Sequence, residues 1–133
     1  MTDKRSILYL DDESRLLDIF QEMFSNTYEV FTASGVEAAR EILSTQGADI
    51  IISDQGMPGI SGTEFLCEVA REYPQSFRIM LTGKMLIGEA IPELSSGVVH
   101  LFITKPWTEA EMRRMLERAS LNFDLRRIDD SKP

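Results

Sequence analysis

Ile50-Ile51-Ile52-Ser53, ending at Asp54, is the stretch on which the reading of the fold turns. Residues 49 to 53 read as a strand whose centre is the unbroken apolar, β-branched run Ile50-Ile51-Ile52. A strand of that kind is buried on both faces, which places it at the centre of a parallel sheet covered by helices. Working outward, comparable runs are Ile7-Leu8-Tyr9-Leu10, Ile79-Met80-Leu81 and Leu101-Phe102-Ile103-Thr104. The more polar segment Tyr28 to Thr32 reads as an edge strand.

Between the strands run amphipathic patterns with a 3.6-residue period, and alternating β and α patterns argue for repeated βαβ units. The first helix shows Leu16, Ile19, Phe20, Met23 and Phe24 on one face, and the second shows Val36, Ala39, Ile42 and Leu43. The last helix buries Met112, Leu116, Ala119 and Phe123. Three capping boxes mark helix starts: Ser34 with Glu37, Ser61 with Glu64, and Thr108 with Glu111. Strand four spans Phe77 to Leu81 and strand five roughly Val98 to Thr104. Between them, Lys84 to Ser96 holds Gly88 and Pro92. An interior proline costs about 3 kcal/mol, so a short, kinked or displaced helix is expected there.

The 133 residues suit one domain, with 43% hydrophobic and 27% charged residues as in ordinary globules. The formal net charge of −8 is the wrong sign for a direct nucleic-acid binder. Residues 1–125 are expected to form the domain, and 126–133 a tail or the start of a linker. No apolar run is long enough to span a membrane, the N-terminus is unlike a signal peptide, and the single Cys67 excludes an internal disulfide. A cytoplasmic location is expected.

Five polar residues stand where the apolar runs stop: Asp11 and Asp12, Asp54, Thr82 and Lys105. In a parallel α/β sheet the carboxyl ends of neighbouring strands share one edge, where ligands bind. Three carboxylates, a hydroxyl and an ammonium would then meet in one cluster. That set suits Mg²⁺, which takes oxygen ligands and keeps several waters. Asp54 can serve as ligand and as nucleophile toward phosphorus. Singly, each residue reads as a turn or cap; their common position carries the inference. His100, Cys67 and Trp107 are expected to be structural.

The chain resembles the receiver domains of bacterial two-component response regulators over roughly residues 4 to 125. The motifs are Leu10-Asp11-Asp12-Glu13, Asp54 before Met57-Pro58-Gly59 with Gly62 beyond, Leu81-Thr82-Gly83, and Thr104-Lys105-Pro106-Trp107. The resemblance implies an α/β, flavodoxin-like, doubly wound five-stranded parallel sheet in order 2-1-3-4-5 with helices on both faces. It implies Mg²⁺ held by Asp11, Asp12, Asp54 and the backbone carbonyl of Gly56. A sensor histidine kinase or phosphotransfer protein would phosphorylate Asp54. Thr82 would move toward the phosphate, Lys105 would pair with it, and Phe102 would rotate inward as the switch completes. The surface formed by the helix before strand five, strand five itself and the last helix would then control an output domain or downstream protein, or support a homodimer. The wording around Thr82 and Lys105 resembles receivers joined to cyclic-dinucleotide phosphodiesterase or transcriptional outputs.

Three other readings compete. A haloacid-dehalogenase-type phosphatase also uses a nucleophilic aspartate with Mg²⁺, but places it after strand one as Asp-x-Asp, whereas here the acids are adjacent. A pseudo-receiver that works without phosphorylation would not need all five residues. A flavodoxin would need a Thr/Ser/Gly-rich phosphate loop after strand one.

Overall fold

The computed structural model describes residues 4–83 and 96–130, the last four of these by backbone alone. The expected helix between Lys84 and Ser96 lies outside the described residues. Five strands, β1 (Ser6–Leu10), β2 (Glu29–Ala33), β3 (Ile50–Asp54), β4 (Phe77–Thr82) and β5 (Leu101–Thr104), form one parallel sheet in the order β2-β1-β3-β4-β5. The described helices are α1 (Ser14–Phe24), α2 (Val36–Thr45), α3 (Gly62–Glu72) and α4 (Glu109–Asp130). As expected, β3 is central and buried throughout, and β2 is an edge.

The two-residue period of the strands sorts the core into two layers. Ile7, Tyr9, Ile50, Ile52, Ile79, Leu81 and Ile103 face α1 and α4, where they meet Leu17, Phe20, Phe24, Met112, Leu116, Ala119 and Phe123. Leu8, Leu10, Ile51 and Met80 face the other way, onto Ala39, Leu43, Phe65, Leu66 and Val69. The buried stripe of α4 is the one its periodicity predicted. In α1 the buried set is Leu17, Phe20 and Phe24, and Leu16, Ile19 and Met23 only flank it. Trp107 packs edge-on against Tyr9 and Phe20, with centroids 6.4 and 6.2 Å away, so it is a packing residue.

Two of the three capping boxes form. Ser61 Oγ accepts from Glu64 N at 3.1 Å, and Glu64 Oε1 accepts from Ser61 N at 3.3 Å. Thr108 and Glu111 make the same exchange at 3.1 and 3.0 Å. The third is corrected: α2 starts one residue later than the motif requires, with Gly35 as its extended N-cap and no side-chain cap.

At the end of the sheet opposite the acidic cluster, Arg78 lies 3% exposed in β4. Among the described residues its guanidinium is held by carbonyls, a hydroxyl and an imidazole. It donates to Val98 O (2.8 Å), Ser76 O (3.0 Å), Ser76 Oγ (2.9 Å) and Gly97 O (3.1 Å). Burial, aided by Arg126, lowers its pKa to about 10. His100 is structural, as expected: its Nδ1 accepts from Arg78 N at 2.9 Å and its ring stacks on Phe77. Arg126 of α4 donates to Ser76 O and Pro74 O, each at 3.0 Å, and Arg5 pairs with Asp124. These contacts tie the C-terminal helix to the amino-terminal end of the sheet.

Candidate functional site

Register alone brings the predicted residues to one edge. Leu10 lies beside Ser53, so Asp11 and Asp54 leave adjacent strands at nearly the same height. Asp54 pairs with Leu81 and Thr82 with Thr104, which puts Thr82 and Lys105 one step further along the same rim. Backbone bonds extend each strand past its last pair: Asp11 N donates to Ala33 O, Gln55 N to Leu81 O, and Lys105 N to Thr82 O at 2.8 Å.

Single carboxylate oxygens of Asp11, Asp12 and Asp54 all lie within 4.8 Å of one another. Asp11 is fully buried, Asp54 is 7% exposed, and Asp12 faces solvent. Lys105 Nζ closes the cluster, 2.9 Å from Asp11 Oδ2, 3.3 Å from Asp54 Oδ2 and 3.1 Å from Glu13 Oε2. Asp11 also accepts from Glu13 N at 3.0 Å and from the Tyr9 hydroxyl at 3.4 Å.

The titration behaviour follows from this crowding. Burial first, and then the charge of Asp11, push the Asp54 carboxyl above its usual range; Lys105 and a backbone bond from Gly56 work against the rise. Burial pulls the Lys105 ammonium down, but hydrogen bonds with Asp11 and Glu13 and the charges of Asp11 and Asp54 outweigh it, so its pKa is raised. Burial, followed by the charge of Asp11, raises the Tyr9 phenol. Lys105 is therefore a firm cation among carboxylates that outnumber it.

The loop after β3 is built to hold Asp54 still. Gln55 Oε1 accepts from Thr63 N (2.9 Å) and Thr63 Oγ1 (3.0 Å), and Gly62 N donates to Gln55 O at 3.0 Å. The amino end of α3 is thereby pinned beside the aspartate. Gly56 is exposed two residues beyond Asp54. Phe102 is half-buried in β5, opposite Met80, on the layer that faces away from α1 and α4.

The structure thus unites Asp11, Asp12, Asp54 and Lys105 in direct geometry and sets Thr82 on the same rim. Sequence reasoning did not foresee Glu13, Gln55 or the Tyr9 hydroxyl as parts of the site. Glu13 was visible only as the acid following the Asp11-Asp12 pair.

The donor set fits a hard divalent cation. All three carboxylates offer oxygen, and exposed Asp12 leaves room for the waters that Mg²⁺ retains.

Comparison with known proteins agrees with this arrangement. The family model for the response regulator receiver domain matches residues 7–117. The hydrogenase transcriptional regulatory protein HoxA of Cupriavidus necator is 32% identical over 97% of this chain, and GlrR of Escherichia coli K12 is 33% identical over 75%. Those alignments cover 28% and 22% of the relatives, so the chain spans about a quarter of their length. A response regulator receiver domain protein from Clostridium thermocellum superposes with a TM-score of 0.81 at 28% identity, covering 91% of this chain and 98% of that one. An adenylate cyclase structure from Rhodopirellula baltica gives 0.88 at 26% identity, covering 96% and 95%. With its sheet order, its rim of acids and this match, the chain belongs to the response regulator receiver domain family.

Proposed function

We propose that this receiver accepts one phosphoryl group on Asp54 from a histidine kinase or phosphotransfer protein and uses it to change the affinity of an output domain or partner. The observation that carries the reading is Lys105 Nζ lying within 3.3 Å of both Asp11 and Asp54, beside the three-carboxylate cluster. An oxygen of Asp54 attacks phosphorus and forms the acyl-phosphate P–O bond, while the bond from phosphorus to the donor breaks and its electron pair leaves with the donor. Asp11, Asp12, Asp54 and the carbonyl of Gly56 would hold Mg²⁺, which would supply positive charge to the transferring oxygens. Lys105 meets the phosphoryl oxygens from the opposite side, and Thr82 donates its hydroxyl to one of them.

A phosphoryl group adds about −1.5 to −2 charges and several acceptors at this rim. Drawing Thr82 and Lys105 toward it repacks β5, and Phe102 turns inward to fill the space behind Thr82. A coupling of ~1–3 kcal/mol suffices to alter partner binding several-fold. The exposed Leu121 and Leu125 on α4 give such a partner, or a second copy of the chain, apolar surface to grip. An apolar recess lined by Leu16, Ile19, Met23, Pro106 and Trp107 borders Glu13 and Lys105 and offers the phosphodonor protein a seat. The named functions of HoxA and GlrR support a transcriptional output. The net charge of −8 argues against direct nucleic-acid contact by this chain.

Incubation with acetyl phosphate and Mg²⁺ tests the reading by intact mass. One added phosphoryl group is expected, absent in Asp54→Asn. An unchanged mass, or modification that persists in the mutant, rejects it.

A further inference from the structure

Glu13 occupies the N-cap of α1, yet its side chain makes no capping bond. Glutamate is outside the preferred N-cap set, so side-chain capping does not account for its position. Its carboxylate turns away from the helix and reaches Lys105 Nζ at 3.1 Å, although the side chain is 63% exposed. The backbone is fixed for this reach, because Glu13 N donates to Asp11 Oδ1 at 3.0 Å.

An ammonium has three N–H donors. In Lys105 they face Asp11, Asp54 and Glu13. Two of those carboxylates belong to the proposed cation set. A divalent ion held by those carboxylates would compete with the ammonium for their oxygens and repel it on its flexible four-carbon stem. Glu13 is the partner left over. We propose that Glu13 is a positioning residue that anchors the Lys105 ammonium at the rim, so that the donor freed by Asp54 points at the incoming phosphoryl oxygens. The inference rests on the phosphoacceptor reading above and concerns how Lys105 is kept available for it.

The sign separates this role from a simple field effect. Removing a nearby negative charge by itself tightens the binding of an anion. Removing an anchor for the cation that binds the anion weakens it. Beryllofluoride, a stable mimic of the phosphoryl group, is titrated calorimetrically at saturating Mg²⁺ into wild type, Glu13→Ala, Glu13→Gln, Lys105→Met and the Glu13→Ala/Lys105→Met double variant. Glu13→Ala is expected to weaken binding about two- to fivefold, the range of a partly exposed ion pair. Glu13→Gln, which keeps an acceptor oxygen, recovers part of the loss. In the Lys105→Met background the Glu13→Ala loss disappears, as a double-mutant cycle requires of residues that act through each other. Unchanged or tighter binding in Glu13→Ala overturns the proposal, as does an equal loss with and without Lys105. Failure of wild type to bind beryllofluoride at all rejects the phosphoacceptor reading instead.

Discussion

No side-chain atom fits between Gly62 and the backbone carbonyl of Asp54. A β-carbon on Gly62 would meet that oxygen, with Gln55 Cα at 2.8 Å and Met80 Sδ at 2.9 Å. The first turn of α3 is thus packed directly onto the backbone that carries Asp54.

Gly62→Ala is therefore expected to cost about 1–3 kcal/mol in urea denaturation, because the backbone at 54 and 55 cannot yield as a flexible side chain can. The same shift moves Asp54, so acetyl phosphate uptake should slow. Wild-type stability in the variant would mean that the α3 start is looser than its contacts imply.

The acidic rim is held together at an electrostatic cost, since burial and Asp11 both oppose the charge on Asp54. Asp54→Asn should accordingly raise the melting temperature at pH 7 by a few degrees, with Lys105 still paired to Asp11 and Glu13. Mg²⁺ should stabilise wild type, by about 2.7 kcal/mol at one hundred times its dissociation constant, and stabilise the mutant less. Thermal melts with and without the ion check both effects.

His100 supplies a pH dependence away from the site. Its pKa falls to about 4, through burial first and then the charges of Arg78 and Arg126. In the unfolded chain a histidine titrates near ~6.5. A depressed folded value means the unfolded state binds the proton first, so this contribution is complete above ~6.5 and is lost as pH falls toward 4. Wild type should lose on the order of 1–2 kcal/mol more than His100→Asn between pH 7 and 4.5, discounted for the partial exposure of the ring. Parallel stability profiles by urea denaturation would contradict it.

The caps give a direct contrast. Ser61→Ala and Thr108→Ala each remove a formed capping box and should cost ~1 kcal/mol. Ser34→Ala removes a motif that caps nothing and should stay within ~0.5 kcal/mol of wild type. Equal losses in all three thermal melts would refute the assignment of Gly35 as the N-cap.

Much of this architecture is legible in the chain. Strand periodicity and the apolar run at Ile50 to Ile52 set the layers, because a buried parallel sheet leaves no other place for such a segment. Asp11, Asp12, Asp54, Thr82 and Lys105 were identifiable because each stands at or just past the carboxyl end of an apolar strand run. Arg78 was not legible: a basic residue inside a strand pattern carries no mark of the carbonyls from Ser76, Gly97 and Val98 that satisfy it. Gln55 was equally silent, since its partner Thr63 matters only after the loop has folded back.

By itself the amino-acid order determined which residues reach the carboxyl rim, since that follows from the local alternation of apolar and polar positions. Only the tertiary structure decided how they pair there. Lys105 finds Glu13 across 92 positions of chain, and Gly62 closes on Asp54, because register and helix packing set those distances. No local pattern encodes a distance between segments that meet only once the sheet is assembled.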